Sequence, residues 1–156
     1  MSQVSFENRT VIVTGAGNGL GKAYALELGS RGARVVVNDL GGAVDGSGSG
    51  NTPADEVVKE IIANGGEAVA NYDSVATKEG GESIVQTAID NFGTVDAVVN
   101  NAGILRDKSF ANMSEEELSL IIDVHLKGTF FVSQPAFKVM KENACLLYTS
   151  DAADDQ

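Results

Sequence analysis

A β-branched run followed by four alternating glycines, over residues 9–21, restricts the fold of this chain more than any other segment. The run at 9–14 (Arg-Thr-Val-Ile-Val-Thr) predicts a short strand buried on both faces. The glycines allow a tight turn. The residues over 20–29, among them Leu20 and Tyr24, then place an apolar stripe at helical spacing. The segment therefore predicts a strand, a glycine turn and a helix.

The alternation of strand and helix continues to about residue 142. Further strands are predicted at 33–38, 67–70 and 95–99, and further helices at 52–64, 77–92 and 114–142. Ser114 and Glu117 form a capping box at the start of the last helix. Because parallel neighbours in a sheet need long right-handed crossovers, this order predicts an α/β fold, a doubly wound parallel sheet with helices on both faces.

A Gly/Ser-rich stretch at residues 41–51 interrupts the pattern without ending it. Its composition is that of a loop, and a linker between two domains is the alternative. Since the strand-helix alternation resumes directly after it, we expect a loop within one domain. The length of 156 residues fits one domain at about 150 residues per domain.

Composition and charge exclude several classes of protein. The chain is 43% apolar and 21% charged, as in an ordinary soluble globular protein. Its apolar runs are too short for a membrane span, and its first seven residues lack the pattern of a signal peptide. The net charge of −11 argues against nucleic-acid binding. With one cysteine, Cys145, and one histidine, His125, we expect neither an internal disulfide nor a metal site.

The glycine turn and the acid that follows it predict a dinucleotide site. Small residues let the backbone approach a pyrophosphate, and the N–H groups of the following helix face it. Asp39 ends the second strand 18 residues after Gly21, where a carboxylate accepts hydrogen bonds from a ribose and repels a 2′-phosphate. We therefore expect NAD rather than NADP. A plain tight turn and a solvated loop acid are the alternatives.

Two motifs together resemble the short-chain dehydrogenase/reductase family. They are the spacing of Gly15, Gly19 and Gly21 and the Asn-Asn-Ala-Gly turn at 100–103 after the fourth strand. The resemblance implies a Rossmann-like fold in which that turn stabilises the sheet and contacts the cofactor, and in which Asp73 faces the adenine. The cofactor-binding residues expected on this basis are Gly15, Asn18, Gly19, Leu20, Gly21, Asp39, Asp73, Ser74, Asn101, Ala102 and Gly103.

A narrower resemblance covers about residues 5–142. The segments Asn38-Asp39-Leu40-Gly41-Gly42, Ala70-Asn71-Tyr72-Asp73-Ser74-Val75 and Val124-His125-Leu126 resemble the (3R)-hydroxyacyl-CoA dehydrogenase domains of peroxisomal multifunctional enzymes and their bacterial relatives. This implies oxidation of a 3-hydroxyacyl-CoA to the 3-ketoacyl-CoA with NAD, a step of fatty-acid β-oxidation.

His125 stands where the wider family has the Asn of its catalytic tetrad. A neutral imidazole there could hold a water molecule in a proton relay, which makes His125 the one candidate catalytic residue. The alternative is a structural histidine on a mostly apolar helix.

The family's remaining catalytic residues are a Ser and a Tyr-x-x-x-Lys pair, which follow the fifth strand. Here Tyr148 is followed four residues later by Ala152, and we give Ser150 no catalytic role. Residues 145–156 resemble a translated sequencing adapter. We therefore expect a truncated NAD-binding Rossmann domain at 1–144, with about four strands of an expected seven, and a non-native tail. The chain itself is expected to be inactive.

Partners and compartment follow from the same resemblance. We expect a homodimer of the intact parent through the 114–142 helix, a small-molecule substrate such as an acyl-CoA, and no nucleic-acid or membrane partner. The location is expected to be cytoplasmic, or peroxisomal for a eukaryotic parent. Two other functions stay open: a non-catalytic NAD-binding module, and a reductase of another carbonyl substrate such as a 3-ketoacyl carrier protein, a sugar or a steroid.

Overall fold

A parallel β-sheet is the centre of the computed structural model, which describes residues 4–41 and 52–143. In these ranges the strands are β1 (Thr10–Thr14), β2 (Arg34–Asn38), β3 (Glu67–Asn71) and β4 (Ala97–Val99). Their order is β3-β2-β1-β4, and every pair is parallel. The chain therefore adds β2 and β3 on one side of β1 and then crosses to the other side to add β4. In open α/β sheets ligands bind at such a reversal, which here lies between β1 and β4.

Five α-helices connect and follow these strands in the described ranges. They are α1 (Gly19–Ser30), α2 (Thr52–Ala63), α3 (Lys78–Phe92), α4 (Glu115–Ile122) and α5 (Gly128–Glu142). A 3₁₀ turn at Phe110–Asn112 precedes α4, and a π-helical segment at Asp123–Lys127 joins α4 to α5. The predicted Rossmann-like α/β class is confirmed, with boundaries that differ from the predicted ones by one or two residues.

Apolar residues are buried on both faces of the sheet. On one face, Val11 and Val35 pack with residues of α1 and α2 such as Val57. On the other face, Ile12 and Val36 pack with residues of α3 and α5. Alternate residues of one strand therefore enter different cores, which is why β1 and β2 are apolar throughout rather than alternating with polar residues.

The predicted apolar stripe of α1 is buried in part, since Ala25 lies in the core and Leu26 and Leu28 pack against it. The buried residues of this helix are Gly21, Ala25 and Gly29, whereas Leu20 is 68% and Tyr24 43% exposed. The helix approaches its neighbours so closely that a Cβ at Gly29 would lie 2.9 Å from Cγ2 of Ile61. Because only very small side chains fit at this distance, the innermost positions of α1 are glycine and alanine, and Leu26 and Leu28 pack at the side of this contact.

The predicted last helix is continuous in sequence but changes its hydrogen-bond pattern. The Ser114–Glu117 capping box is present at its start. At the π-helical segment the N–H of Gly128 bonds to the carbonyl of Asp123, five residues back. Gly128 lies against Val75, where a Cβ would be 2.9 Å from Cγ2 of that residue. The extra residue in this turn therefore separates α4 from α5 beside the strand ends.

The predictions for the Gly/Ser loop fall almost entirely on residues 42–51, and those for the tail on 145–156, outside the described residues. Within the described ranges, no helix is both long and apolar enough to cross a membrane.

Candidate functional site

A cleft of about 310 Å³ opens where the carboxyl ends of the four strands meet the N-terminus of α1. Nine of the eleven predicted cofactor-binding residues line it: Gly15, Asn18, Gly19, Asp39, Asp73, Ser74, Asn101, Ala102 and Gly103. Five lining residues were missed: Asn38, Leu40, Val75, Ile104 and Val124. Each of these directly adjoins a predicted residue or His125, and four of them lie in segments that carry the narrower resemblance.

The other two predicted residues, Leu20 and Gly21, do not line the cleft among the described residues. The side chain of Leu20 is exposed. A Cβ at Gly21 would overlap the carbonyl oxygen of Gly15 and lie 2.5 Å from Nδ2 of Asn101. Gly21 therefore allows the start of α1 to pack against the end of β1.

The glycine turn leaves the start of α1 open. Gly15 and Gly19 have φ angles of +62° and +55°, which glycine adopts without strain. Asn18 precedes the helix but makes no side-chain cap hydrogen bond within the described residues. The first turn, Gly-Leu-Gly-Lys, contrasts with that of α4, which has three glutamates. Since first-turn amides have no acceptor inside their own helix, this end of α1 suits an anion.

The carboxylate of Asp39 is held by two backbone amides. Gly17 donates to Oδ2 and Gly41 to Oδ1, both at 2.8 Å. A carboxylate oxygen can accept more than one hydrogen bond, so both oxygens can also accept from ligand hydroxyl groups. Gly17 was missed as a site residue, although it is one of the four glycines of the turn.

The turn after β4 is fastened to the end of β1. The hydroxyl of Thr14 accepts hydrogen bonds from the amides of Asn101 and Ala102, both at 3.1 Å. The side-chain amide of Asn101 donates to the carbonyls of Thr14 and Gly15 at 3.1 and 3.0 Å. These four bonds fix the two strand ends that border the cleft.

Asp73 at the end of β3 belongs to a network that the sequence did not reveal. Its Oδ2 accepts hydrogen bonds from Nδ2 of Asn71 at 2.9 Å and from the hydroxyl of Ser83 at 2.7 Å. Asn71 in turn accepts from Nδ2 of Asn38 at 2.8 Å. Asn38 and Asn71 are 2% and 6% exposed. Two buried amides therefore lie at the base of the cleft. Only the presence of an asparagine at the end of each of two neighbouring strands could have predicted this network from the sequence.

His125 lies in the π-helical segment, beside the cleft rather than among its lining residues. Its Nε2 is 3.1 Å from the amide nitrogen and 3.0 Å from the carbonyl oxygen of Ile104. The tautomer decides which of the two contacts is the hydrogen bond. A Cβ on Gly103 would lie 2.8 Å from Cε1 of the ring. The imidazole thus covers Gly103 and holds the chain at Ile104.

One tyrosine near the site, Tyr72, has a shifted pKa. Tyr72 directly precedes Asp73, and its hydroxyl donates a hydrogen bond to Oδ1 of Asp55 at 2.5 Å. That bond raises the pKa of Tyr72 above its usual value, and burial and the Asp55 charge act in the same direction. The bond ties the end of β3 to α2.

Over the described ranges, no group of three or more His, Cys, Asp or Glu side chains is placed to hold a metal ion.

The comparisons with known proteins agree with this geometry. The model of the short chain dehydrogenase family matches residues 9–145. The chain belongs to that family. The short-chain dehydrogenase motifs are those at the cleft: the glycine turn before α1 and the Asn-Asn-Ala-Gly turn after β4.

Curated short-chain dehydrogenase relatives are similar over most of the chain. It is 54% identical to peroxisomal multifunctional enzyme type 2 of Mus musculus over 97% of this chain and 20% of that protein. It is 57% identical to the peroxisomal hydratase-dehydrogenase-epimerase of Saccharomyces cerevisiae over 88% of this chain and 15% of that protein. A short-chain type dehydrogenase/reductase of Mycobacterium tuberculosis is 54% identical over 88% of this chain and 48% of its own length.

A solved short-chain dehydrogenase has the same fold. The crystal structure of a short chain dehydrogenase from Mycobacterium avium matches with a TM-score of 0.82 and 48% identity, over 90% of this chain and 49% of that one. The chain therefore spans less than half the length of each of the relatives named here.

Proposed function

We propose that this chain is the cofactor-binding part of an NAD-dependent oxidoreductase that oxidises 3-hydroxyacyl-CoA to 3-ketoacyl-CoA. The observation that carries the proposal is the pairing of the open N-terminus of α1 with the Asp39 carboxylate, which Gly17 holds at 2.8 Å. The first suits a diphosphate and the second the hydroxyl groups of a ribose.

The ends of neighbouring strands would contact successive parts of NAD. The Gly15–Gly19 turn and the start of α1 would hold the diphosphate, Asp39 the adenosine ribose, and Asp73 the adenine. The turn at 101–103 would border the remainder of the cofactor. Bound there, NAD supplies the hydride acceptor for the oxidation of an alcohol.

Charge favours NAD over NADP at this cleft. Its described lining contains two acids, Asp39 and Asp73, and neither Lys nor Arg. A 2′-phosphate next to Asp39 would meet a carboxylate with no cation to offset the repulsion. We therefore assign NAD as the cofactor.

The substrate assignment rests on the resemblance to (3R)-hydroxyacyl-CoA dehydrogenase domains, and the names of the relatives support it. Hydratase-dehydrogenase-epimerase and multifunctional enzyme type 2 are peroxisomal proteins that are 54–57% identical to this chain. On this basis we propose a 3-hydroxyacyl-CoA as the substrate of the parent enzyme and a peroxisomal location, with the cytoplasm as the alternative for a bacterial parent.

Turnover needs a base that removes the hydroxyl proton as the hydride leaves the carbon. None of the three tyrosines in this sequence has a Lys four residues later: Tyr24 is followed by Leu28, Tyr72 by Ala76 and Tyr148 by Ala152. We propose that the 156-residue chain binds NAD without oxidising substrate. His125, beside Ile104, would act in the parent by holding a water molecule that accepts this proton from the base.

A second copy of the parent is the proposed partner of the α4–α5 surface. The exposed apolar side chains of this surface are those of Leu118, Ile122, Leu126, Phe130 and Phe137. An apolar surface of this kind on an outer helix is typical of a protein interface. We therefore propose a homodimer through residues 114–142.

Titration of the chain with NAD and with NADP tests the proposal. We expect NAD to bind at least about tenfold more tightly, because a phosphate beside Asp39 costs a like-charge contact. Tighter binding of NADP would overturn the cofactor assignment, and no binding of either would overturn the site. Sequencing of the gene beyond codon 144 tests the rest: a downstream Ser and Tyr-x-x-x-Lys support the dehydrogenase, and their absence leaves an NAD-binding module.

A further inference from the structure

The side chain of Asn71 has every hydrogen-bonding position filled. Its Nδ2 donates to Oδ2 of Asp73 and to the hydroxyl of Thr87, both at 2.9 Å. Its Oδ1 accepts from Nδ2 of Asn38 at 2.8 Å and from the backbone N–H of Asp73 at 3.0 Å. An amide has two donors and an oxygen with two lone pairs, so this one is fully used.

The partners also fix which way the amide points. The backbone N–H of Asp73 can only donate, so it must face the oxygen of Asn71. The hydroxyl of Thr87 gives its proton to the carbonyl of Ser83 at 2.9 Å, which leaves a lone pair for Nδ2. A flipped amide would lose its bonds to Asp73 and Asn38, and could keep a bond to Thr87 only if that hydroxyl released the carbonyl of Ser83. Because Asn71 is 6% exposed, water cannot readily replace them.

This amide determines how the Asp73 carboxylate is presented to the cleft. Oδ2 of Asp73 is occupied by Asn71 and by the hydroxyl of Ser83. Its backbone carbonyl accepts from Nδ2 of Asn38 at 2.9 Å. In the described residues Oδ1 has no hydrogen-bond partner, and Asp73 lines the cleft. One carboxylate oxygen is therefore anchored from below and the other is available to a ligand.

We infer that Asn71 is a positioning residue that makes the cleft select adenine over hypoxanthine, through the carboxylate of Asp73. This rests on the proposed NAD-binding function. The exocyclic amino group of adenine donates a hydrogen bond, which a fixed carboxylate oxygen accepts. Hypoxanthine has a carbonyl oxygen at that position, which the same carboxylate repels. The selectivity depends on the carboxylate being held in one orientation.

Asn71, Ser83 and Thr87 are absent from the described lining of the cleft, so each can act on a ligand only through a lining residue. Ser83 contacts Asp73, and Asn71 contacts both Asp73 and Asn38. Ser83 makes a hydrogen bond to the Asp73 carboxylate directly, whereas Thr87 is connected to it by two hydrogen bonds through Asn71. Loss of either hydroxyl loosens the anchored oxygen without removing any group that meets the ligand. This separates positioning from direct contact.

The experiment measures the affinity of the chain for NAD and for nicotinamide hypoxanthine dinucleotide, in which a carbonyl oxygen replaces the amino group of adenine and N1 carries a proton. The variants are Ser83→Ala and Thr87→Val, with Thr87→Ser as the conservative variant that keeps the hydroxyl. Asn91→Ala is the matched control, because Asn91 lies on the same helix and, among the described residues, its Nδ2 bonds only to the carbonyl of Thr87, at 2.8 Å. Asn71→Ala is less useful, since an unfilled cavity at a buried amide threatens folding.

We expect the unsubstituted 156-residue chain, called the parent sequence below, to bind NAD about tenfold more tightly than the hypoxanthine analogue. This is the typical effect of a hydrogen bond to a charged group. Ser83→Ala and Thr87→Val should reduce this ratio to about threefold or less, mainly by weakening NAD. Thr87→Ser and Asn91→Ala should keep the tenfold ratio.

Two results overturn the inference while the proposed function stands. One is NAD binding without any preference over the analogue in the parent sequence, and the other is an unchanged ratio in both Ser83→Ala and Thr87→Val. In the second case, an equal loss of affinity for both nucleotides would show a merely structural role. If the parent sequence binds neither nucleotide, the proposed function itself fails.

Discussion

Gly17 donates its backbone N–H to the carboxylate of Asp39 over 2.8 Å. A Cβ at Gly17 would lie 2.8 Å from Cγ of Asp39 and 2.7 Å from Cβ of Pro53. The glycine turn after β1 and the acid after β2 therefore depend on each other. The carboxylate of Asp39 occupies the space that a side chain at position 17 would need.

Gly17→Ala should weaken NAD binding about tenfold, because the new methyl group displaces the carboxylate that would hold the ribose. The preference for NAD over NADP should fall in parallel. Isothermal titration with both nucleotides measures the two effects. Ser30→Ala, an exposed change at the other end of α1, is the control and should leave both affinities unchanged. Full NAD affinity in Gly17→Ala would show that Asp39 has no part in binding.

Gly21→Ala should destabilise the fold, although alanine is normally the better helix residue by about 1 kcal/mol. The added Cβ would overlap the carbonyl of Gly15 and crowd Nδ2 of Asn101, so the strand ends must separate. We expect a loss of about 2 kcal/mol in the free energy of unfolding, measured by urea denaturation. Glu56→Ala, at an exposed position of α2, should change it by less than about 0.5 kcal/mol. Equal stabilities would mean that α1 has room to shift.

His125→Asn separates the catalytic from the structural interpretation of this residue. The ring contacts the backbone of Ile104 and covers Gly103, next to the turn that borders the cleft. In the full-length parent we expect turnover to fall about tenfold or more, as for loss of a proton relay, with NAD affinity within about twofold. Steady-state kinetics and a titration measure the two quantities. Unchanged turnover with a lower melting temperature would assign His125 a structural role.

The alternation of strands and helices and the cleft were predictable because both follow from local sequence. A buried β-branched strand, a glycine turn and an acid after the next strand each occupy a few neighbouring residues, and the parallel connection rule assembles them. Nine of the eleven predicted residues line the cleft for this reason.

The features that sequence missed are those set by contacts between distant segments. The inward face of α1 is glycine and alanine because the helix lies close to Gly15 after β1 and to Ile61 of α2, distances that no periodicity reports. Asn71 matters through Asn38 and Thr87, which lie 33 and 16 residues away. The π-helical segment at Asp123–Lys127 has no sequence period of its own, since one turn is too short to show one.

The Tyr72–Asp55 hydrogen bond predicts a stability difference that depends on pH. The bond raises the pKa of the tyrosine in the folded state, since ionisation would remove the donated proton. Its contribution, about 1 kcal/mol, is therefore complete below the unfolded pKa of about 10 and is lost as the pH rises through the higher folded value. Tyr72→Phe should be less stable than the parent sequence at neutral pH, and the gap should narrow above about pH 10. Urea unfolding at several pH values measures it, with Tyr24→Phe on α1 as the control. A gap that widens at high pH would contradict the assignment of Tyr72 as the donor.

Self-association should depend on the apolar surface of the π-helical segment and α5. Leu126 is 67% and Phe130 56% exposed, four residues apart on one helical face. Two such side chains on separate copies can bury each other, so we expect the chain to associate or aggregate as its concentration rises. Leu126→Lys with Phe130→Lys should shift the population towards monomer in sedimentation velocity runs. Ile62→Lys, an equally exposed apolar site on α2, should leave the distribution unchanged and separates a specific surface from general stickiness. A monomeric parent sequence with a sharp, reversible thermal transition would contradict both the proposed dimer surface and the expected tendency to aggregate.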